Sequence, residues 1–384
     1  MILKSGGIHI FGKSGSGKTT TAKVGASAWG SPGQQVLSWD STALALSNAA
    51  AARNDGLMLL DELGQGSPDA VARASYVVFN GVSRMQGARD GGNREQARWR
   101  VLVLSTGEID LAGFMSGGGH RTRAGQEVRL ASLPADAGKG FGAFDHLSGH
   151  ADSGELAEAL DDAARDNHGV VGRAFVEHIA ENRESAVARL RVAIKRVHDG
   201  LPEGASGQVR RVAARFAVVA EALEIATDVA LTGWDAGDGR TAVMSCFSAW
   251  LSRFGAGNRE DQQITEQAES WFGLHAAGRF IDCRDAAQPD WPPRIQSCAG
   301  YLKLDASGAL FWLVDRGVFA NEIAKGFDCS AAADVLAVAG MLTKGSDGKA
   351  TSKHKTPDRP GGDARRFYKF VRTARADPDE YQDQ

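Results

Sequence analysis

Eight residues, Gly12-Lys13-Ser14-Gly15-Ser16-Gly17-Lys18-Thr19, follow the apolar run Gly7-Ile8-His9-Ile10-Phe11. The order predicts a strand feeding a glycine-rich turn that opens a helix, and the spacing is that of a phosphate-binding P-loop. Glycines let the backbone wrap an anion, so that amide N–H groups and a helix N-terminus point at it. Lys18 is placed to reach the β- and γ-phosphates of ATP, and the Thr19 hydroxyl to hold Mg²⁺. With Thr20, these residues form the expected cofactor loop.

The rest of the chain must then supply a sheet for that strand. Short apolar runs alternate with helical patterns through the first 150 residues. Gln34–Ser38, Leu57–Leu60, Trp99–Ser105 and Gln126–Leu133 read as further strands, which predicts a parallel sheet covered on both faces. Gly81–Arg98, rich in glycine and arginine, is too long for a plain connection and reads as an inserted hairpin. From Ser153 to Gly255 the period is helical throughout. From Asp261 onward helices mix with strands, ending in two strands around a basic loop. The expected organisation is an α/β ATPase core over 1–150, a helical lid over 151–258, a winged helix-turn-helix over 259–376 and a tail over 377–384.

The whole-chain charge of −3 does not mark a nucleic-acid binder, so local patches decide that question. Lys344–Arg375 holds ten basic residues against three acidic ones. Within it Lys353, Lys355 and Arg365 are candidate DNA contacts, as Arg84, Arg89 and Arg94 are in the insertion. Cys246, Cys283, Cys298 and Cys329 form no Cys-x-x-Cys pair, which fits a reducing cytoplasm better than a zinc or disulfide framework. The apolar stretch Val212–Leu231 is interrupted by Arg215, Glu221, Glu224 and Asp228, so it predicts an amphipathic helix rather than a membrane span.

Asp61-Glu62 closes an apolar strand 43 residues after Lys18. Beside a P-loop such a pair divides the work: Asp61 orients the Mg²⁺ shell, and Glu62 orients the attacking water or accepts its proton. Ser105 and Thr106 end the next strand, where a polar side chain senses the γ-phosphate; the sequence leaves open which hydroxyl does so. Arg121 or Arg123 is a candidate arginine finger reaching a neighbouring subunit's ATP, with Arg123 preferred. Arg211 and Arg215, one helical turn apart, are candidate lid arginines closing on the nucleotide.

Several segments recur in the order of one known family: Gly12–Thr19, Trp29-Gly30, Leu59-Leu60-Asp61-Glu62-Leu63-Gly64, Phe79-Asn80-Gly81, Trp99–Glu108, Ala124–Leu130 and Pro134–Gly138. The chain resembles the domain-of-unknown-function 927 family, found on bacterial mobile elements. Some members are similar to replicative helicases of the minichromosome-maintenance type, and some are fused to primase modules. The resemblance implies an AAA+ ATPase forming a ring, six-membered by analogy, around DNA, with a primase or polymerase as partner and no membrane attachment. The family's N-terminal half is expected upstream of the strand that starts near Met1.

Two rival readings stay open at this stage. A DNA-remodelling or loading ATPase would bind DNA without unwinding it. A P-loop kinase for a small molecule would need neither ring nor DNA.

Overall fold

The computed structural model describes residues 4–87, 91–119, 124–136, 138–284, 295–356 and 364–371. The chain divides into two compact units, Met1–Gly257 and Asn258–Gln384.

In the first unit the elements run β1 (Gly6–Phe11), α1 (Lys18–Ser27), α2 (Pro32–Gln35), β2 (Val36–Ser38), α3 (Ala43–Ala52) and β3 (Leu57–Asp61), followed by a 3₁₀ turn at Leu63–Gln65. They continue with α4 (Pro68–Asn80), β4 (Leu102–Gly107), α5 (Leu111–Gly117), α6 (Ala124–Arg129) and β5 (Leu130–Pro134). Five helices close the unit: α7 (Ser153–Asp166), α8 (Val170–Glu181), α9 (Arg183–Asp199), α10 (Gly207–Asp228) and α11 (Asp238–Phe254).

The sheet order is β2-β3-β4-β1-β5, with every pairing parallel. Successive residues of a strand face opposite sides, and the cores divide accordingly. Met58, Leu60 and Val103 pack with Trp39, Val78 and Trp99 on one face. Leu59 packs with Ala22 and Ala26 of α1 on the other, where Leu133, Phe216 and Trp250 extend a cover built from α10 and α11. Parallel strands buried on both faces explain the near-continuous apolar runs.

Two strand expectations shift. Ladder pairing of β4 starts at Leu102 rather than Trp99, because the Trp99 N–H donates to Gly81 O (3.0 Å) and the Val101 N–H to Ser5 Oγ (3.2 Å) at the foot of the insertion. The run expected as a strand from Gln126 begins as α6, and β5 starts only at Leu130. That turn buries Val128 among the α10 and α11 side chains.

At the other end of β1 a side chain takes the place of one that Gly6 lacks. A Cβ on Gly6 would lie 2.0 Å from Arg215 Nη2. Gly6→Ala is therefore expected to lower stability by about 1–3 kcal/mol through overpacking, read as a drop in the urea midpoint at unchanged slope.

The second unit contains α12 (Arg259–His275), β6 (Phe280–Asp282), β7 (Gly300–Leu304), β8 (Leu310–Val314), α13 (Arg316–Val318), a π turn at Phe319–Ile323, α14 (Cys329–Val338), β9 (Leu342–Thr343), β10 (Thr351–His354) and β11 (Arg365–Val371). β7 and β8 form an antiparallel hairpin. The expected two-stranded wing is part of a larger sheet, β10-β11-β8-β7-β6, with β9 also paired to β11. The difference lies in the basic loop, where Thr351–His354 forms a ladder with β11. Phe272, Trp312, Phe319 and Phe370 hold the helices to this sheet.

Candidate active site: the P-loop edge of the sheet

The carboxyl ends of the strands share one edge. Phe11 pairs with Gly107 and with Pro134, Leu60 with Ser105, and Ser38 with Asp61. This edge carries the P-loop, at the crevice where the strand order reverses around β1. Gly15 (φ 74°) and Gly17 (φ 83°) take left-handed conformations that turn the loop into α1. Gly17 is the N-cap of α1 and offers no side chain, so the helix end presents its N–H groups to an anion.

Lys18 is buried, and its ammonium donates to Gly12 O (2.9 Å), Lys13 O (2.7 Å) and Ser16 Oγ (3.4 Å). The loop therefore holds the cation over its own concavity. A second segment closes against it from behind: Ala143 N donates to Ser16 O at 2.8 Å, and a Cβ on Gly17 would lie 2.9 Å from the Phe144 ring.

The Asp61 carboxylate collects two hydroxyls. Thr19 Oγ1 donates to Asp61 Oδ1 at 3.3 Å, and Thr106 Oγ1 donates to the same oxygen in a short hydrogen bond. Thr106 Oγ1 in turn accepts the Glu62 N–H at 3.0 Å. Glu62 adopts φ 52°, an uncommon conformation for a residue with a side chain and of the kind that collects at functional sites. Its carboxylate accepts the Gly64 N–H at 3.4 Å, a long bond that restrains it weakly.

These contacts separate the two hydroxyls that the sequence left open. Thr106 lies beside Asp61. Ser105 points to the opposite face and is fully buried, accepting Trp39 Nε1–H (2.9 Å) and meeting His9 Nδ1 (3.0 Å). His9 Nε2 meets Ile109 O at 3.0 Å, and a carbonyl only accepts. The proton therefore sits on Nε2, Nδ1 accepts, and Ser105 donates to it. The sensing role expected of Ser105 or Thr106 fits Thr106 alone; Ser105 is a structural link between β1, β4 and Trp39.

His9 is held neutral, its pKa lowered to about 4, chiefly by desolvation on burial. The unfolded imidazole titrates near 6.5, so the unfolded state binds more protons between those values, and folding stability rises with pH there and is lost as the pH drops through that window. Full stability is expected above about pH 6.5, with a loss of about 3 kcal/mol by pH 4 from this group. Urea midpoints measured between pH 7.5 and 4 in wild type and His9→Asn check it, since the variant lacks this component of the slope.

The other expected residues disperse. Arg215 is buried against Gly6 at the amino end of β1, a strand's length from the P-loop, and donates to Val128 O at 3.2 Å. The lid role does not suit it there. Arg211 donates to Gly207 O of its own helix at 3.1 Å. Arg89, Arg121 and Arg123 lie outside the described residues. Arg84 and Arg94 are exposed on the insertion, which folds back on itself through the antiparallel bridges Val82–Arg98 and Gly87–Asn93. In the second unit Lys353 and Lys355 are exposed, whereas Arg365 is engaged by Tyr301 Oη (3.0 Å) and Thr356 Oγ1 (3.3 Å).

Three features of this edge escaped sequence reasoning. The His9–Ser105–Trp39 link spans residues far apart in the chain. Phe144 follows a glycine-rich stretch to which no role was given. Arg253 of α11 pairs with Asp110 at 3.0 Å and lies 4.9 Å from the Phe11 ring centroid, at the carboxyl end of β1. The i, i+3, i+7 aromatic spacing of Phe247, Trp250 and Phe254 is a signal that α11 packs on the sheet and brings Arg253 with it.

Sheet order and loop geometry together define a P-loop nucleoside-triphosphatase fold. The family model described as "Domain of unknown function (DUF927)" matches residues 2–98, and over that segment the family resemblance read from the sequence is borne out. No curated protein matches. Among solved structures, the chain is similar to one named "SCCmec type IV Cch - active helicase", at 16% identity and a TM-score of 0.68 over 96% of this chain. It spans 61% of that helicase's chain. Two structures of NtrX from Brucella abortus, with ADP and with ATP, are 14% and 13% identical over 68% and 71% of this chain and 54% and 63% of theirs. Their TM-scores of 0.23 and 0.24 are too low for any structural argument. Among the described residues no helix is long and apolar enough to cross a membrane.

Proposed function

We propose that this chain is the motor of an ATP-dependent DNA helicase or translocase of a mobile genetic element, working as a ring, six-membered by family analogy, during DNA replication. The observation that carries the reading is the convergence of Thr19 and Thr106 on one Asp61 oxygen, beside Lys18.

An ATP phosphate seated in the loop would take over the ammonium donors that Lys18 now gives to Gly12, Lys13 and Ser16. Thr19 and Asp61 suit Mg²⁺, a hard cation that takes oxygen ligands, one or two of them carboxylates, and completes its shell with phosphate and water. Among the described residues no cluster of three or more acidic, His or Cys side chains competes as an all-protein metal cage. Bound there, Mg²⁺ supplies charge neutralisation on the transferring phosphoryl group. Glu62, once released from the Gly64 N–H, orients the attacking water and takes its proton. Thr106 links Asp61 to the Glu62 backbone, so a change at the γ-phosphate has a short route into β4 and, through it, to the insertion at its start.

The exposed arginines of that insertion support a grip on the DNA backbone, which is attractive to Arg and Lys in a salt-dependent way. A winged-helix role in duplex contact is proposed for the second unit, with Lys353 and Lys355 as its exposed cations. A trans arginine from Arg121 or Arg123, and a primase or polymerase partner, belong to the same proposal.

Strand displacement on a forked DNA substrate tests the reading, using the full chain. ATP-dependent unwinding is expected, with a species of several subunits on gel filtration in ATP. DNA binding without unwinding would turn the reading to a loading or remodelling ATPase. A monomer indifferent to DNA would overturn it.

A further inference from the structure

A cavity of about 570 Å³ opens at the edge of the sheet opposite the P-loop. Its floor is the amino ends of β1 and β4, and its walls are α9 and α10. Two properties set it apart. Val187, Leu190, Ile194, Val218 and Val219 make its walls aliphatic, while Lys4, Arg100, Arg183, Arg191 and Arg215 bring five cations to it. One acid lines it, Asp55, and that carboxylate is taken up by Arg100 at 2.7 Å.

Arg215 is the telling member. It is 9% exposed, its guanidinium fills the space over Gly6, and its one described hydrogen bond is to Val128 O. Among the described residues no carboxylate pairs with it, and burial lowers its pKa to about 10. A buried charge without a counter-charge is costly, and this one faces a cavity open to an incoming anion. The cavity also shares its edge with the insertion: Arg98 closes the hairpin opposite Val82, and Arg100 follows two residues later. In extended backbone, positions two apart face the same side.

We infer that this groove binds a nucleotide unit of single-stranded DNA running on from the hairpin, with the phosphate on Arg215 and the Arg183–Arg191 rim and the sugar and base against the aliphatic walls. A bare anion would leave those walls unused. The inference rests on the DNA-motor reading and adds to it a second stretch of the strand's path, on the outer helices rather than the hairpin.

The test is fluorescence anisotropy of a labelled thirty-nucleotide oligo(dT) with the full chain over a series of salt concentrations. The variants are Arg183→Glu/Arg191→Glu, Arg215→Gln and, for the hairpin, Arg84→Glu/Arg94→Glu. Arg183 and Arg191 are exposed, so their double variant keeps the test valid if Arg215→Gln fails to fold. The rim variant is expected to bind roughly tenfold or more weakly, with a salt slope shallower by about 1.4 for two lost phosphate contacts, and with unchanged ATP hydrolysis in the absence of DNA. Unchanged affinity and slope, with weakened binding in the hairpin variant, would overturn the groove and leave the motor reading standing. No oligo(dT) binding by wild type even at low salt would overturn both. A poly-glutamate peptide that binds wild type but not the rim variant, with oligo(dT) binding intact, would assign the groove to an acidic protein partner and overturn the inference.

Discussion

Glu62→Gln is expected to cut ATP turnover by about 10²–10⁴-fold, the range that general-base catalysis commonly contributes, while leaving ATP binding in place. The change keeps shape and volume and removes only the charge and proton-accepting power. It does not touch the Glu62 backbone N–H, which donates to Thr106 Oγ1 at 3.0 Å, nor the Thr106–Asp61 contact. A nucleotide-affinity assay beside a steady-state turnover assay separates the two effects. Loss of turnover with retained affinity assigns the proton-accepting role to Glu62. Loss of both would mean that the side chain holds the loop together rather than acting on water.

Lys18→Ala is expected to fail earlier, at binding. Its ammonium is the one side-chain cation that the loop encloses, bonded to Gly12 O, Lys13 O and Ser16 Oγ. Removing it leaves two loop carbonyls without that donor and any phosphate without its point charge. A loss of at least about a hundredfold in turnover per bound ATP is expected, comparable to deleting one preorganised donor from an anion site, together with weaker nucleotide binding. Because Lys18 is buried, thermal melting of the variant without nucleotide belongs in the same experiment. A variant that melts like wild type yet gains no stability from added ATP isolates the binding defect.

The parts of this site written in contiguous sequence were legible in advance. A strand, a glycine turn and Lys18-Thr19 form one local motif, and Asp61-Glu62 ends a strand whose apolar run is unmistakable. The choice between Ser105 and Thr106 was not legible. It depends on which face of β4 meets β3's carboxylate and which meets His9 and Trp39, and those partners lie 96 and 66 residues from Ser105. The same holds for Arg215. Its helix was readable from the period, but the end of the sheet on which it lands is decided by how α10 seats on Val128, Ala131 and Leu133. The strand expected from Gln126 failed for a related reason: Val128 serves the α10–α11 core better in a helical turn than in a ladder. In the second unit, Thr351–His354 carries no apolar alternation strong enough to mark a strand, and pairing with β11 supplies what local propensity does not.

An ATP-driven motor on DNA is read out by the steady-state rate of ATP hydrolysis of the full chain with and without single-stranded DNA, in wild type and Glu62→Gln. The wild-type rate is expected to rise with DNA, and the rate of the variant to fall to background under both conditions. A wild-type rate indifferent to DNA, or a variant as active as wild type, would contradict it.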